Sequence, residues 1–201
     1  MNAVASAPRA AYCHAVSRTV HDREPSHAVS LIDHCMPVFD AVERHALTIA
    51  APPAIVYSAL SRVDFARSGP IRWLLRVRGL GAQRRLTLAD VTRGGFVLLG
   101  ERPGLEMAFG IAGRFWTPSG GRVTLDADAF RRFERPGYAK AVWDFRVTDA
   151  GHGSTRLTTE TRIRCVDATG RRRFRVYWAL VRPFSGLIRI LMLRAVAREV
   201  R

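Results

Sequence analysis

Apolar and polar side chains alternate imperfectly over residues 40–50: Ala41, Glu43, His45, Leu47 and Ile49 against Val42, Arg44, Ala46 and Thr48, a pattern that predicts a first strand. Ala51-Pro52-Pro53 ends it. Prolines suit a helix's first turn, where a missing N–H is tolerated, and Ile55, Val56, Ala59 and Leu60 then form a helical stripe. Ile71, Leu74, Leu75 and Arg78 predict a second short helix within 71–77, closed by Gly79 and Gly81. The middle of the chain reads as strands over 84–91, 96–101, 105–116, 128–134, 139–148 and 155–166. Turn chemistry at Gly94-Gly95, Pro103-Gly104, Gly120-Gly121, Pro136-Gly137 and Gly151-His152-Gly153 separates most of them, as in an antiparallel meander. Finally, Phe174, Tyr177, Trp178, Val181, Ile188, Leu191, Met192 and Ala195 recur at three- and four-residue steps, with Arg175, Arg182, Arg189 and Arg198 on another face. A long amphipathic helix is expected, bent at Pro183. The apolar stretch 177–197 contains Arg182, Arg189 and Arg194, which argues against a membrane span.

Residues 1–38 show no sustained period and are expected to be a disordered extension ahead of one domain over 39–201. Initiation at Met36 is the alternative. With 48% hydrophobic residues, a chain of 201 residues suffices for one substantial core. The net charge of +15 comes almost wholly from arginine, Lys140 being the sole lysine, and such a bias is weak evidence for any partner. Cys13, Cys35 and Cys165 are odd in number and widely spaced, which disfavours a disulfide framework or a zinc module. Charged and polar residues interrupt the start, unlike a secretory signal, so a cytoplasmic location is expected.

The order strand, two short helices, meander and long terminal helix is that of the α+β helix-grip fold, in which a curved antiparallel sheet wraps around the last helix. Three segments resemble the START-like superfamily, which includes polyketide cyclases and dehydrases. The first, Glu43-Arg-His-Ala-Leu-Thr-Ile-Ala-Ala-Pro-Pro-Ala-Ile-Val-Tyr-Ser-Ala-Leu60, is similar to the family's opening strand and proline-started helix. The others are 130–145, from Phe130 through Trp143 to Phe145, and 177–189, from Tyr177-Trp178 through Pro183 to Arg189, the latter similar to the terminal helix of bacterial members. The resemblance runs from about Val38 to the end. It implies binding of hydrophobic molecules between helix and sheet or, in some branches, cyclisation and dehydration there.

Four of the six histidines fall within 1–38, leaving His45 and His152, too few for a triad or a three-histidine metal site. His152 reads as a turn residue and His45 as a strand residue that is solvent-facing or hydrogen-bonded. Glu101 and Glu106 flank a hairpin turn and would form an acid/base pair if brought together, although exposure and Arg102 favour an ordinary surface role. Strand parity puts Trp143, Phe145 and Val147 on one face, and helical spacing sets Tyr177, Trp178 and Val181 opposite. With Trp73, Phe109 and Trp116 these are the candidate cavity walls, and each is also an ordinary core candidate. Arg114, Arg131 and Arg132 are candidates for pairing with an anionic group on a ligand; Arg132 is retained, because adjacent strand residues face opposite ways. No metal, cofactor or catalytic residue is assigned.

These readings favour a binder of a hydrophobic small molecule, lipid-like or polyketide-like. A cyclase- or dehydrase-type enzyme using the same cavity is the alternative. Peripheral contact of the arginine-rich helix with an anionic membrane is a third reading, and specific nucleic-acid binding is disfavoured, because the helix's aromatic residues fall on its apolar stripe.

Overall fold

The computed structural model describes residues 29–77 and 85–201. Its elements are α1 (Leu31–Cys35), β1 (Ala41–Ile49), α2 (Pro53–Arg62), a 3₁₀ turn (Phe65–Arg67), α3 (Gly69–Val77), α4 (Leu88–Arg93), β2 (Val97–Arg102), β3 (Glu106–Gly113), α5 (Ala127–Arg132), β4 (Ala139–Gly151), β5 (Ser154–Cys165) and α6 (Ala168–Glu199). The strands form one antiparallel sheet in the order β1-β5-β4-β3-β2, and α6 lies across it against β1 and β5, with α2 and α3 beside it. This is the expected α+β helix-grip architecture.

Two predicted strands are helices instead. Over 84–91, Thr87 and Asp90 form a reciprocal capping box, the Thr87 hydroxyl accepting from the Asp90 N–H and the Asp90 carboxylate from the Thr87 N–H, and α4 follows. Over 128–134, the Asp126 carboxylate accepts from the Ala129 N–H at 2.7 Å and starts α5, which buries Phe130. In both places a cap satisfies N–H groups that a strand would have offered to a neighbour. Gly79, Gly81 and the start of the predicted strand 84–91 lie outside the described residues.

The sheet's two faces differ in chemistry. Toward α6, Met107, Phe109, Trp143, Phe145, Val147 and Leu157 join α2 and α6 in the main core. By length and composition α6 is apolar enough to cross a bilayer; Phe174, Ile188, Met192 and Val196 are buried against the rest of the protein, whereas Val176, Leu180, Phe184 and Leu187 are exposed, and Arg189, expected on the outer polar face, lies over Trp143 instead. The opposite face carries a small apolar cluster of Ile32, Met36, Leu99, Ala108, Phe130 and Val142. Beside it lies a buried charge network. Arg162 donates to Glu160 at 2.6 Å, to Asp33 at 2.5 Å and to the Met36 carbonyl at 2.9 Å. Glu106 accepts from Arg102 at 2.7 Å and from the Leu31 N–H at 3.1 Å, so it caps α1.

The segment read as a disordered extension therefore divides: 1–28 lie outside the described residues, whereas Ser30-capped α1 packs on the sheet and Ile32 is wholly buried.

Asp144 belongs to the same face. Burial lifts its carboxyl to about 7; the Glu160 N–H it accepts and nearby Arg146 oppose that shift, and Glu160 and Glu106 add to it. The native state thus holds this proton more tightly than the unfolded chain. The group costs nothing below about pH 4, and stability is lost as pH rises toward about 7, by at most on the order of 4 kcal/mol. Asp144→Asn keeps the acceptor oxygen and removes the charge. Urea unfolding at pH 8 is expected to show the variant more stable than the native chain, with no such gain at pH 4.

Candidate functional site

Between α6 and the sheet lies a cavity of about 270 Å³. Its lining comes from elements that converge for ordinary packing reasons. β4 supplies Ala141 and Trp143, and β5 supplies Thr161 and Ile163. Helix α6 contributes Phe174, Tyr177 and Trp178, and about three turns later Ile188, Arg189 and Met192. Ile71, Asp90 and Val91 of α3 and α4, Phe96, Phe115 and the loop from Thr117 to Arg122 also belong to the wall.

Trp143 is the centre of the wall. It is 4% exposed, its indole N–H donates to Thr159 Oγ1 at 2.9 Å, and that hydroxyl donates to the Asp144 carbonyl. Phe109, Phe145 and Phe96 surround the ring at centroid distances of 5.5, 5.1 and 6.1 Å. The Arg189 guanidinium lies 4.2 Å from its centroid, within cation–π range. The indole is fixed, with one face of the site apolar and one cation beside it.

Toward the β1 edge lie buried polar groups without hydrogen-bond partners among the described residues, Thr161 in the lining and Glu43 and His45 just outside it. The register sets Glu43 opposite Thr161, and Thr161 opposite Trp143, so the three form one row across the sheet. Thr161 Oγ1 and Glu43 Oε2 are buried without a hydrogen-bond partner among the described residues. His45 Nε2 lies 3.3 Å from Glu43 Oε1. Above them is Gly186, where an added Cβ would stand 2.6 Å from Glu43 Oε1. A side chain there would require the Glu43 and His45 side chains to move aside.

Of the predicted wall residues, Trp143, Tyr177 and Trp178 line the cavity. Phe109 and Phe145 stand behind Trp143 as core, the latter stacked on Phe65. Trp116 and Val181 are half-buried and outside the lining; Trp116 packs against the cluster of Ala139, Ile163, Cys165 and Phe174. Trp73 is a correction: it is 59% exposed on α3, because Ile71 and Leu74 take that helix's inner face. Arg132 is a second, being exposed at the end of α5, which packs its Phe130 on the sheet face away from α6. Arg114 donates to the Tyr138 hydroxyl, and Arg131 to Asp128 and the Leu99 carbonyl. The Glu101–Glu106 pair does not form: Glu101 accepts from the Tyr57 hydroxyl on the α6 side, and Glu106 faces α1.

Sequence reasoning passed over Thr161 and the Glu43–His45 pair. The second was within reach, since residues two apart on a strand share a face. Among the described residues no cluster of three or more potential metal ligands occurs.

No family model and no curated sequence matches the chain. Solved structures with a similar chain trace include a conserved protein from Geobacillus kaustophilus, at 12% identity and a TM-score of 0.40, covering 80% of this chain and 95% of that one. The Zhui aromatase/cyclase from Streptomyces sp. R1128 is similar at 15% identity and a TM-score of 0.31, covering 80% and 93%. Norcoclaurine synthase from Thalictrum flavum, in complex with dopamine and hydroxybenzaldehyde, gives 12% identity and a TM-score of 0.33, covering 79% and 84%. The helix-grip assignment rests on the order and pairing of this chain's own elements.

Proposed function

We propose that this protein binds a small, largely apolar molecule carrying an aromatic ring, held between α6 and the sheet. The observation that carries the reading is the cavity of about 270 Å³ built around the immobilised Trp143 and faced by Phe174, Tyr177, Trp178, Ile188 and Met192. That volume is near the lower end for small-molecule sites, so it suits two or three fused rings better than a long acyl chain. Burying about 220 Å² of ligand apolar surface contributes roughly 5.5 kcal/mol, which corresponds to a dissociation constant near 0.1 mM before ordering costs and polar contacts are counted. The START-like resemblance of 43–60 and 177–189 supports the same reading. The cyclase or dehydrase alternative has less support, because among the described residues Glu101 and Glu106 lie on opposite sheet faces. Titration calorimetry with 2-methylnaphthalene tests the proposal: saturable binding with a negative heat-capacity change is expected, and no binding up to the probe's solubility limit refutes it.

A second reading has its own observation. Val176, Leu180, Phe184 and Leu187 are 76%, 72%, 44% and 45% exposed, and their spacing places them on one outward face of α6. Exposed Arg172 and Arg173 precede this ridge and Arg194 and Arg198 follow it, and the sequence from 168 to 198 contains no acidic residue. An apolar ridge bounded by cations suits peripheral docking on an anionic bilayer. Co-sedimentation is expected with vesicles containing phosphatidylserine and not with pure phosphatidylcholine, and a Leu180→Glu, Phe184→Glu double variant is expected to remain in the supernatant. Equal sedimentation of the variant and the native chain contradicts the reading.

A further inference from the structure

We infer that Thr161, with Glu43 beside it, forms a polar subsite that receives a hydroxyl group of the molecule in the cavity. This rests on the cavity reading and deepens it. Thr161 lines the cavity and is 7% exposed, and its hydroxyl has no partner among the described residues. A buried hydroxyl left in that condition costs free energy that a matching group on a ligand recovers. Ordinary sheet threonines avoid this, as Thr159 does by accepting from Trp143 and donating to a carbonyl, and Thr155 by donating to the Ala51 carbonyl at 2.6 Å. Thr161 sits in the same strand with neither arrangement.

The position is also chemically directional. On one side Trp143 and Ile163 contribute apolar wall; on the other, across the Thr161 position, stands the Glu43 carboxyl group, whose buried Oε2 is likewise unengaged among the described residues. Ser185, buried on α6, lines the cavity as well. A ring in the cavity with its hydroxyl toward β1 therefore meets Thr161, with Ser185 across from it and Glu43 behind Thr161, outside the lining. A phenol-like ligand fits this arrangement, and an unfunctionalised hydrocarbon leaves it unsatisfied.

The test compares 2-naphthol with 2-methylnaphthalene, which differ by a hydroxyl in place of a methyl group. The native chain is expected to bind 2-naphthol about tenfold more tightly, the equivalent of one recovered hydrogen bond. Thr161→Val, isosteric but without the hydroxyl, is expected to bring the ratio to within about twofold by weakening 2-naphthol alone. Thr161→Ser is expected to keep the preference. Equal affinities in the native chain, or a preference that survives Thr161→Val, overturn the subsite while 2-methylnaphthalene binding still upholds the cavity. Failure of both probes overturns the cavity reading and the subsite with it.

Discussion

Ile32→Ala is expected to destabilise the protein by about 2–5 kcal/mol, a fall in Tm of roughly 5–20 °C, although the residue lies far from the cavity. Ile32 is wholly buried in a cluster with Met36, Leu99, Ala108, Phe130 and Val142, and truncation leaves a hole that only partial relaxation fills. A chain starting at Met36 is expected to lose more. It also lacks Asp33, which accepts from buried Arg162, and the Leu31 N–H that satisfies buried Glu106. Arg162 keeps Glu160 and Glu106 keeps Arg102, so these losses amount to two hydrogen bonds to charged groups and add about 1–3 kcal/mol to that of Ile32. Chemical denaturation of the two variants and of Val29→Ala, at a residue 64% exposed, checks this. The Val29 variant is expected to match the native chain, and an Ile32→Ala loss below about 1 kcal/mol contradicts the packing role given to α1.

Ala141→Phe is expected to abolish ligand binding, with at least a thirtyfold loss for 2-methylnaphthalene, and to leave Tm within a few degrees of the native value. Ala141 lines the cavity from the middle of the sheet, between Ile111 on β3 and Ile163 on β5. A ring placed there enters the empty volume that a ligand would take, so its own burial offsets part of the packing cost. Ala141→Leu fills less space and is expected to give an intermediate loss. Should Ala141→Phe bind the probe as the native chain does, the site lies elsewhere.

The parts of the fold readable in the sequence are those whose pattern is long relative to its period. Helix α6 shows its apolar face repeatedly along 32 residues, β4 and β5 carry runs of 13 and 12 residues between turns, and Pro52-Pro53 mark the start of α2. Helices α1, α4 and α5 have 5 or 6 residues each, too few for a helical period to separate from alternation. Their signal is instead a cap: Ser30, Thr87 and Asp126 each accept from the N–H three residues on. Arg132 was misplaced for this reason, since a residue read on a strand ended on a helix covering the opposite face.

The site follows the same division. Strand parity located Trp143, and helical spacing located Tyr177 and Trp178, because both periodicities report which face is covered. Trp73 went astray because its aromatic character outweighed a spacing that favoured Ile71 and Leu74 as the inner face. Thr161 carries no such signal. A threonine in a strand is unremarkable in type, and only the partners available to its hydroxyl distinguish it from Thr159 two residues away.

Heteronuclear NMR of the ¹⁵N-labelled chain, following the indole N–H resonance of Trp143 during titration with 2-methylnaphthalene, tests the central claim most directly. The resonance, identified by its loss in Trp143→Phe, is expected to shift saturably in the native chain and to stay fixed in Ala141→Phe. A Trp143 signal that does not move while the probe binds, or one that moves equally in the filled variant, contradicts a ligand site between α6 and the sheet.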